Sequence, residues 1–204
     1  TELIDRVKSR TNDNSFYYCP TPDGFSGVVL AGEVEEYVFC DEPLSIGGAT
    51  KKSQGIIYGR TDEQSRKEAE QFFKDNIRKT MHSTLASQPY SPLTTLMTAD
   101  YLLTARDLPG WPGKFDDFSI SSLIIAAFKQ IENSPYENAV LVRELKILHA
   151  ISEKHGLLDL FEKLYRDTKR NKVKSIAIKG FAITRSIRLN GVDVGIKDIY
   201  DASL

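Results

Sequence analysis

Five consecutive helical patterns occupy the middle of this chain and constrain its fold more than any other feature. Apolar residues in these segments recur at the three- and four-residue spacing of a helix face, as Ala69, Phe72, Phe73 and Ile77 do in the first of them. We therefore expect a helical region over residues 60–172. The predicted helices are Asp62–Arg78, Pro92–Asp107, Ser119–Asn133, Pro135–His155 and Leu157–Arg170.

The first 59 residues differ in character from this helical region. Amphipathic spacing predicts helices at Thr1–Arg10 and Gly24–Glu35. Aromatic and β-branched residues predict short strands at Ser15–Cys19 and Tyr37–Cys40. Asp41–Gly59 reads as a loop, because it combines glycines, a proline and lysines.

The end of the chain predicts a β-hairpin. Asn190-Gly191 separates the β-prone runs Arg185–Leu189 and Val192–Val194, which is a strong hairpin signal. The predicted fold class is therefore α/β to mostly α. An α/β segment at 1–59 precedes a helical extension at 60–204 that ends in the hairpin.

Composition limits the functional classes. The chain has 204 residues, of which 41% are apolar, and a net charge of −1, which argues against a dedicated nucleic-acid binder. No apolar run approaches the roughly 20 residues needed to cross a bilayer, and Thr1–Arg10 does not read as a signal peptide. Cys19 and Cys40 are expected to be buried free thiols, so the predicted location is cytoplasmic.

Asp23 is the first candidate functional residue. It follows Pro22 directly before an apolar helical pattern, so it is suited to cap the first turn of that helix. The order of elements also places this acid and the Gly/Lys/Ser loop at the ends of neighbouring elements, where active sites are usually built.

The loop at 47–55 is the second candidate. It contains Gly47, Gly48, Lys51, Lys52 and Ser53, but it lacks the glycine directly before Lys-Ser that a Walker phosphate loop requires. A flexible loop beside a bound phosphate group and a solvated surface loop both remain open.

Two further side chains lie in the helical region. His82 follows the first long helix of that region and is a candidate for lining a cleft. Trp111 lies in a loop rich in Pro and Gly, where it either stacks on a sugar or anchors the loop on the helices. Asp116 and Asp117 are adjacent at a predicted helix start, which favours a capping role over metal binding.

Three short motifs carry a family resemblance. They are TPDGFS at Thr21–Ser26, YVFCDEPLSIGG at Tyr37–Gly48 and KSQG at Lys52–Gly55. Together they resemble the family 2 glycosyltransferases of the GT-A fold. The resemblance implies that residues 1–59 form the acceptor-side part of a GT-A-like catalytic domain, and that the donor-binding half belongs to a longer parent protein.

The resemblance also implies a chemistry. Asp23 would be the general base of an inverting transfer from a nucleotide-diphosphate sugar to a saccharide or lipid-linked acceptor, in cell-surface polysaccharide synthesis. Residues 44–55 would line the acceptor and diphosphate side. The family's Asp-x-Asp motif, which holds Mg²⁺ or Mn²⁺, is absent from this sequence, so the metal would bind in the intact parent. Peripheral association of the parent with the inner face of the membrane would fit this role.

A different class of function also fits the pattern. Five helices with short links could form the scaffold of a non-catalytic interaction module, and residues 60–172 contain few motifs.

Overall fold

A computed structural model describes residues 2–38, 61–77, 80–114 and 118–174 of the chain, with the backbone alone described at 76, 77 and 170–174. The described chain is built from helices. A π-helical turn at Phe73–Ile77 continues the third helix, and a 3₁₀ turn at Ser83–Leu85 precedes the fourth. The helices are α1 Glu2–Ser9, α2 Pro22–Gly32, α3 Glu63–Phe72, α4 Thr94–Arg106, α5 Ile120–Asn133, α6 Asn138–Lys154 and α7 Leu158–Lys174.

Local capping explains several helix ends. The Asp62 carboxylate accepts a hydrogen bond from the backbone N–H of Ser65 at 2.8 Å, which begins α3. The Ser119 hydroxyl accepts a bond from the N–H of Ser122 at 3.4 Å and begins α5. Gly156 has φ +67° and follows the end of α6, a left-handed position that favours glycine. The predicted helices between Asp62 and Arg170 are thus confirmed, with small shifts of their ends.

The main core lies among α3 to α7. Its centre is formed by aliphatic and aromatic side chains that are removed from water, which is the main favourable term in folding. Phe73 stacks on Tyr90 with ring centroids 5.2 Å apart, and Phe128 meets Phe161 edge-on at 5.4 Å. Its fully buried large side chains are Met81, Leu85, Tyr90, Leu93, Leu96, Leu103, Ile124, Phe128, Ile131, Leu148 and Ile151.

A second, smaller core joins the N-terminal helices to the end of α4. Its buried members are Val7, Cys19, Phe25, Val29, Ala105 and Leu108. Cys19 is buried and forms no disulfide with a described residue, as predicted. Because α4 contributes to both cores, it connects α1 and α2 to the rest of the described chain.

Trp111 anchors the loop after α4 onto α2. Its indole N–H donates to the carbonyl of Val29 at 3.1 Å. Two glycines lie against its ring: a Cβ on Gly32 would lie 2.3 Å from Cζ2, and one on Gly113 would lie 2.1 Å from the same atom. The structure therefore favours the loop-anchor interpretation of Trp111 over the sugar-stacking one.

Gly32→Ala is expected to destabilise the protein by about 1–3 kcal/mol, because the added methyl group displaces the Trp111 ring from its slot. Gly27→Ala is the matched control in the same helix. Nothing lies within 4 Å of a Cβ there, so alanine should add about 0.5–1 kcal/mol. Urea unfolding followed by the fluorescence of the single tryptophan measures both changes. Equal effects of the two substitutions would contradict the slot.

The predicted α/β fold class with a GT-A-like segment was wrong. The predicted strand at Ser15–Cys19 is an irregular turn, in which Asn14 has φ 54° and the Thr11 hydroxyl donates to the carbonyl of Ser15 at 2.9 Å. Phe16 and Tyr18 pack on the smaller core instead of pairing with another strand. Tyr37 and Val38 are 84% and 96% exposed and are not in a strand.

No residue of the four described ranges forms a strand, so this part of the protein has no sheet that the predicted terminal hairpin could join. The hairpin residues 185–194 lie outside the described residues. So do the whole loop at 41–59 and the rest of the predicted strand at Tyr37–Cys40.

Candidate functional site

Asp23 lies in the first turn of α2, exposed to solvent. The N-cap interpretation was wrong, because Thr21 holds the cap position, without a side-chain cap bond, and Pro22 is the first helical residue. The Asp23 backbone carbonyl accepts a bond from the Ser26 hydroxyl at 3.0 Å. Its carboxylate makes no hydrogen bond or ion pair with any described residue, which leaves it accessible to an external hydroxyl group.

Tyr101 of α4 lies directly beside this carboxylate-bearing turn. A Cβ on Gly24 would lie 2.5 Å from Cε1 of Tyr101, so the ring covers the backbone of the residue after Asp23. Tyr101 is half-buried, and its hydroxyl has no partner among the described residues. The ring thus packs on the backbone next to Asp23. An aromatic ring and a carboxylate offer an apolar contact and a hydrogen-bond acceptor, both of which a sugar can use. The sequence did not indicate Tyr101, because only the α2–α4 contact brings it there.

His82 belongs to a polar cluster at the C-terminal end of α4. Its Nδ1 accepts a bond from the backbone N–H of Thr84 at 3.3 Å, so Nε2 carries the proton and donates to Asp107 at 2.9 Å. Arg106 binds the same carboxylate at 2.9 Å. Partial burial opposes ionisation of Asp107, but the bonds from Arg106 and His82 dominate and lower its pKa. Both His82 ring nitrogens are thus occupied, and its predicted role in substrate binding stays a prediction.

Asp100 supports this cluster from inside the protein. Its side chain is completely buried, and its Oδ1 accepts a bond from the backbone N–H of His82 at 2.6 Å. Its Oδ2 has no hydrogen-bond partner. Burial disfavours the charged form and raises the pKa of Asp100 from 3.8 to about 7, against the smaller opposing effect of the His82 N–H.

Asp100→Asn is expected to remove part of the pH dependence of stability. The folded-state pKa of Asp100 is raised above 3.8. The contribution of Asp100 to the free energy of unfolding is therefore fully present below pH 3.8 and is lost as the pH rises to about 7. The neutral amide should therefore make the variant more stable than the wild type by roughly 2–4 kcal/mol at about pH 8, and nearly equal to it at about pH 4. Urea unfolding at the two pH values measures the difference, and a constant difference would contradict the assignment.

The remaining predicted site residues belong to the loop at 47–55. Gly47, Gly48, Lys51, Lys52 and Ser53 lie outside the described residues. Within the described residues, no group of three or more His, Cys, Asp or Glu side chains is placed to hold a metal ion. In the same part of the chain, no helix combines the length and the hydropathy that crossing a membrane requires.

Comparison with known proteins adds no relative. Neither a family model, nor a curated protein, nor a solved structure matches the chain.

Proposed function

We propose that this chain contributes the acceptor side of an inverting glycosyltransferase, with Asp23 as general base. The observation that supports the proposal most strongly is the exposed Asp23 carboxylate, which has no partner among the described residues and belongs to the helical turn on which the Tyr101 ring packs. The three motifs that resemble family 2 glycosyltransferases supply the reaction class. The proposal does not depend on a GT-A-like arrangement of strands.

In the proposed reaction the acceptor hydroxyl lies against Asp23. Its oxygen attacks the anomeric carbon of the sugar while the carboxylate takes the hydroxyl proton. The bond from the anomeric carbon to the diphosphate breaks in the same displacement, so the configuration inverts and a nucleoside diphosphate leaves. The described residues do not form a Mg²⁺ or Mn²⁺ site. The metal of the intact enzyme is therefore proposed from the resemblance, with the donor-binding half of the parent.

The reaction is tested on the protein that joins this chain to its donor-binding part. Nucleotide-diphosphate sugars are supplied with saccharide and lipid-linked acceptors, and release of the nucleoside diphosphate is measured. Release that requires an acceptor, with an inverted anomeric signal in the NMR spectrum of the product, is the expected result. Retention of configuration, or no acceptor-dependent release with any donor and acceptor offered, would contradict the proposal.

A second candidate is a non-catalytic helical interaction module. The described residues favour it in one respect: Val142 on the outer face of α6 is 51% exposed and borders concave regions on either side of that helix. The two candidates differ in the role of Asp23, since substitution of an exposed carboxylate remote from α6 should leave partner binding unchanged.

A further inference from the structure

An open groove of about 560 Å³ lies between α3, the residues after the 3₁₀ turn, and α6. This volume lies within the range of about 300–1,000 Å³ found for ligand sites. It is separate from the α2 turn that carries Asp23. Small and aliphatic side chains of α6 line one wall: Ala139, Val142, Ile147 and Ala150.

Gln88 lines this groove with unused hydrogen-bonding capacity. Its side chain is only 7% exposed, yet neither the nitrogen nor the oxygen of its amide has a partner. Buried polar groups are nearly always paired, because an unpaired group costs stability. The Gln88 side-chain amide has an N–H donor and a C=O acceptor without partners. These two groups match a peptide group, which also offers one N–H and one C=O.

The backbone before Gln88 is strained. Ala86 and Ser87 are consecutive non-glycine residues in the left-handed region, with φ 66° and φ 43°. Such conformations cost energy and concentrate at ligand-binding segments. Because the Gln88 amide is buried, a ligand pairs with it only after the residues that cover it are displaced.

The charge available in the groove is positive. Lys146 is exposed and makes no hydrogen bond or ion pair with any described residue. Arg143 binds Glu144 and the carbonyl of Tyr90, and its guanidinium has further N–H groups to donate. The acidic residue of the lining, Glu63, is already bound by Arg66 at 2.7 Å.

We propose that this groove binds an extended acidic peptide segment of a partner protein. The Gln88 amide pairs with the peptide backbone, Lys146 and Arg143 take a carboxylate, and the α6 wall around Val142 receives an apolar side chain. The inference does not rest on the proposed transferase activity, since it concerns a different surface.

The test uses amide ¹⁵N–¹H correlation spectra of the full chain, titrated with acetyl-Leu-Glu-Leu-Glu-amide. The uncharged acetyl-Leu-Gln-Leu-Gln-amide is the matched probe. Saturable shifts around α6 with a Kd below about 1 mM are expected for the acidic peptide. Binding at least about 5-fold weaker is expected for the uncharged one, as for a partly exposed charge contact. No saturable shift, or equal affinity for the two peptides, would overturn the proposal.

Two substitutions separate binding from folding. Lys146→Met should weaken binding of the acidic peptide about 5-fold, whereas Lys129→Met on the exposed side of α5 should leave its affinity unchanged. Gln88→Leu should weaken both peptides and yet raise the melting temperature by about 2–4 °C, because it removes an unpaired buried amide. A Gln88→Leu variant that binds as tightly as the wild type, or that loses stability, would refute the role of this residue.

Discussion

Arg143→Met is expected to destabilise the protein by about 3–5 kcal/mol at about pH 8, the cost of removing one partner of a buried ion pair. The partner is Glu144 of α6, whose side chain is only 1% exposed. Arg143 binds one carboxylate oxygen, and the Ser91 hydroxyl donates to the other at 2.6 Å. Without Arg143, the buried Glu144 carboxylate would keep only one of these two partners, the Ser91 hydroxyl, as a hydrogen-bond donor.

The loss of stability caused by Arg143→Met should depend on pH. Burial raises the pKa of Glu144, and Arg143 and the Ser91 hydroxyl partly oppose that rise. Removing Arg143 raises this folded-state pKa further. A carboxyl with a raised folded-state pKa contributes stability that is present at low pH and lost as the pH rises through that pKa. The deficit of Arg143→Met should therefore be smaller at about pH 5 than at about pH 8, because protonation of Glu144 offsets more of the loss as the pH falls.

Urea unfolding of three variants measures this effect. Arg143→Met/Glu144→Gln should recover most of the loss, because the neutral amide can still accept the Ser91 bond. Arg166→Met, an exposed arginine on α7, is the control and should change stability by less than about 0.5 kcal/mol. A loss below about 1 kcal/mol for Arg143→Met, equal at both pH values, would show that Glu144 does not depend on this partner.

The helices could be predicted from the sequence, because their periodicity and caps are local. Asp62 precedes a helical pattern and caps α3, as its position indicates. Whether Ser15–Cys19 forms a strand could not be predicted from local sequence in this way. β-propensity measures how a side chain fits a paired, half-buried surface, and the described residues offer no second strand.

The position of Asp23 at the start of α2 could be predicted from the sequence only approximately. Pro22 fits the first helical position, so the helix begins there and Asp23 lies inside the first turn rather than at the cap. A signal for Glu144 was present and missed: it is a charged residue on the apolar stripe formed by Val140, Leu148 and Ile151 of α6. Tyr101 and Gln88 had no such signal, since long-range packing creates their surroundings.

Asp23→Asn is expected to lower turnover by about 100-fold or more, the usual contribution of a positioned general base. Asparagine has nearly the same shape but cannot accept the acceptor proton at neutral pH. The carboxylate has no partner among the described residues, so its loss should change stability by less than about 0.5 kcal/mol. The kinetic effect should therefore appear in kcat without a loss of folded protein.

The most direct measurement compares Asp23→Asn with Asp159→Asn in the protein that carries the donor-binding part. Asp159 is a matched control, because it too is an exposed carboxylate in the first turn of a helix, α7. Sugar-transfer rate and unfolding midpoint are measured for both variants. We predict that Asp23→Asn loses about 100-fold or more in kcat with an unchanged midpoint, while Asp159→Asn keeps the wild-type rate. Equal rates for the two variants would contradict the assignment of Asp23 as the base.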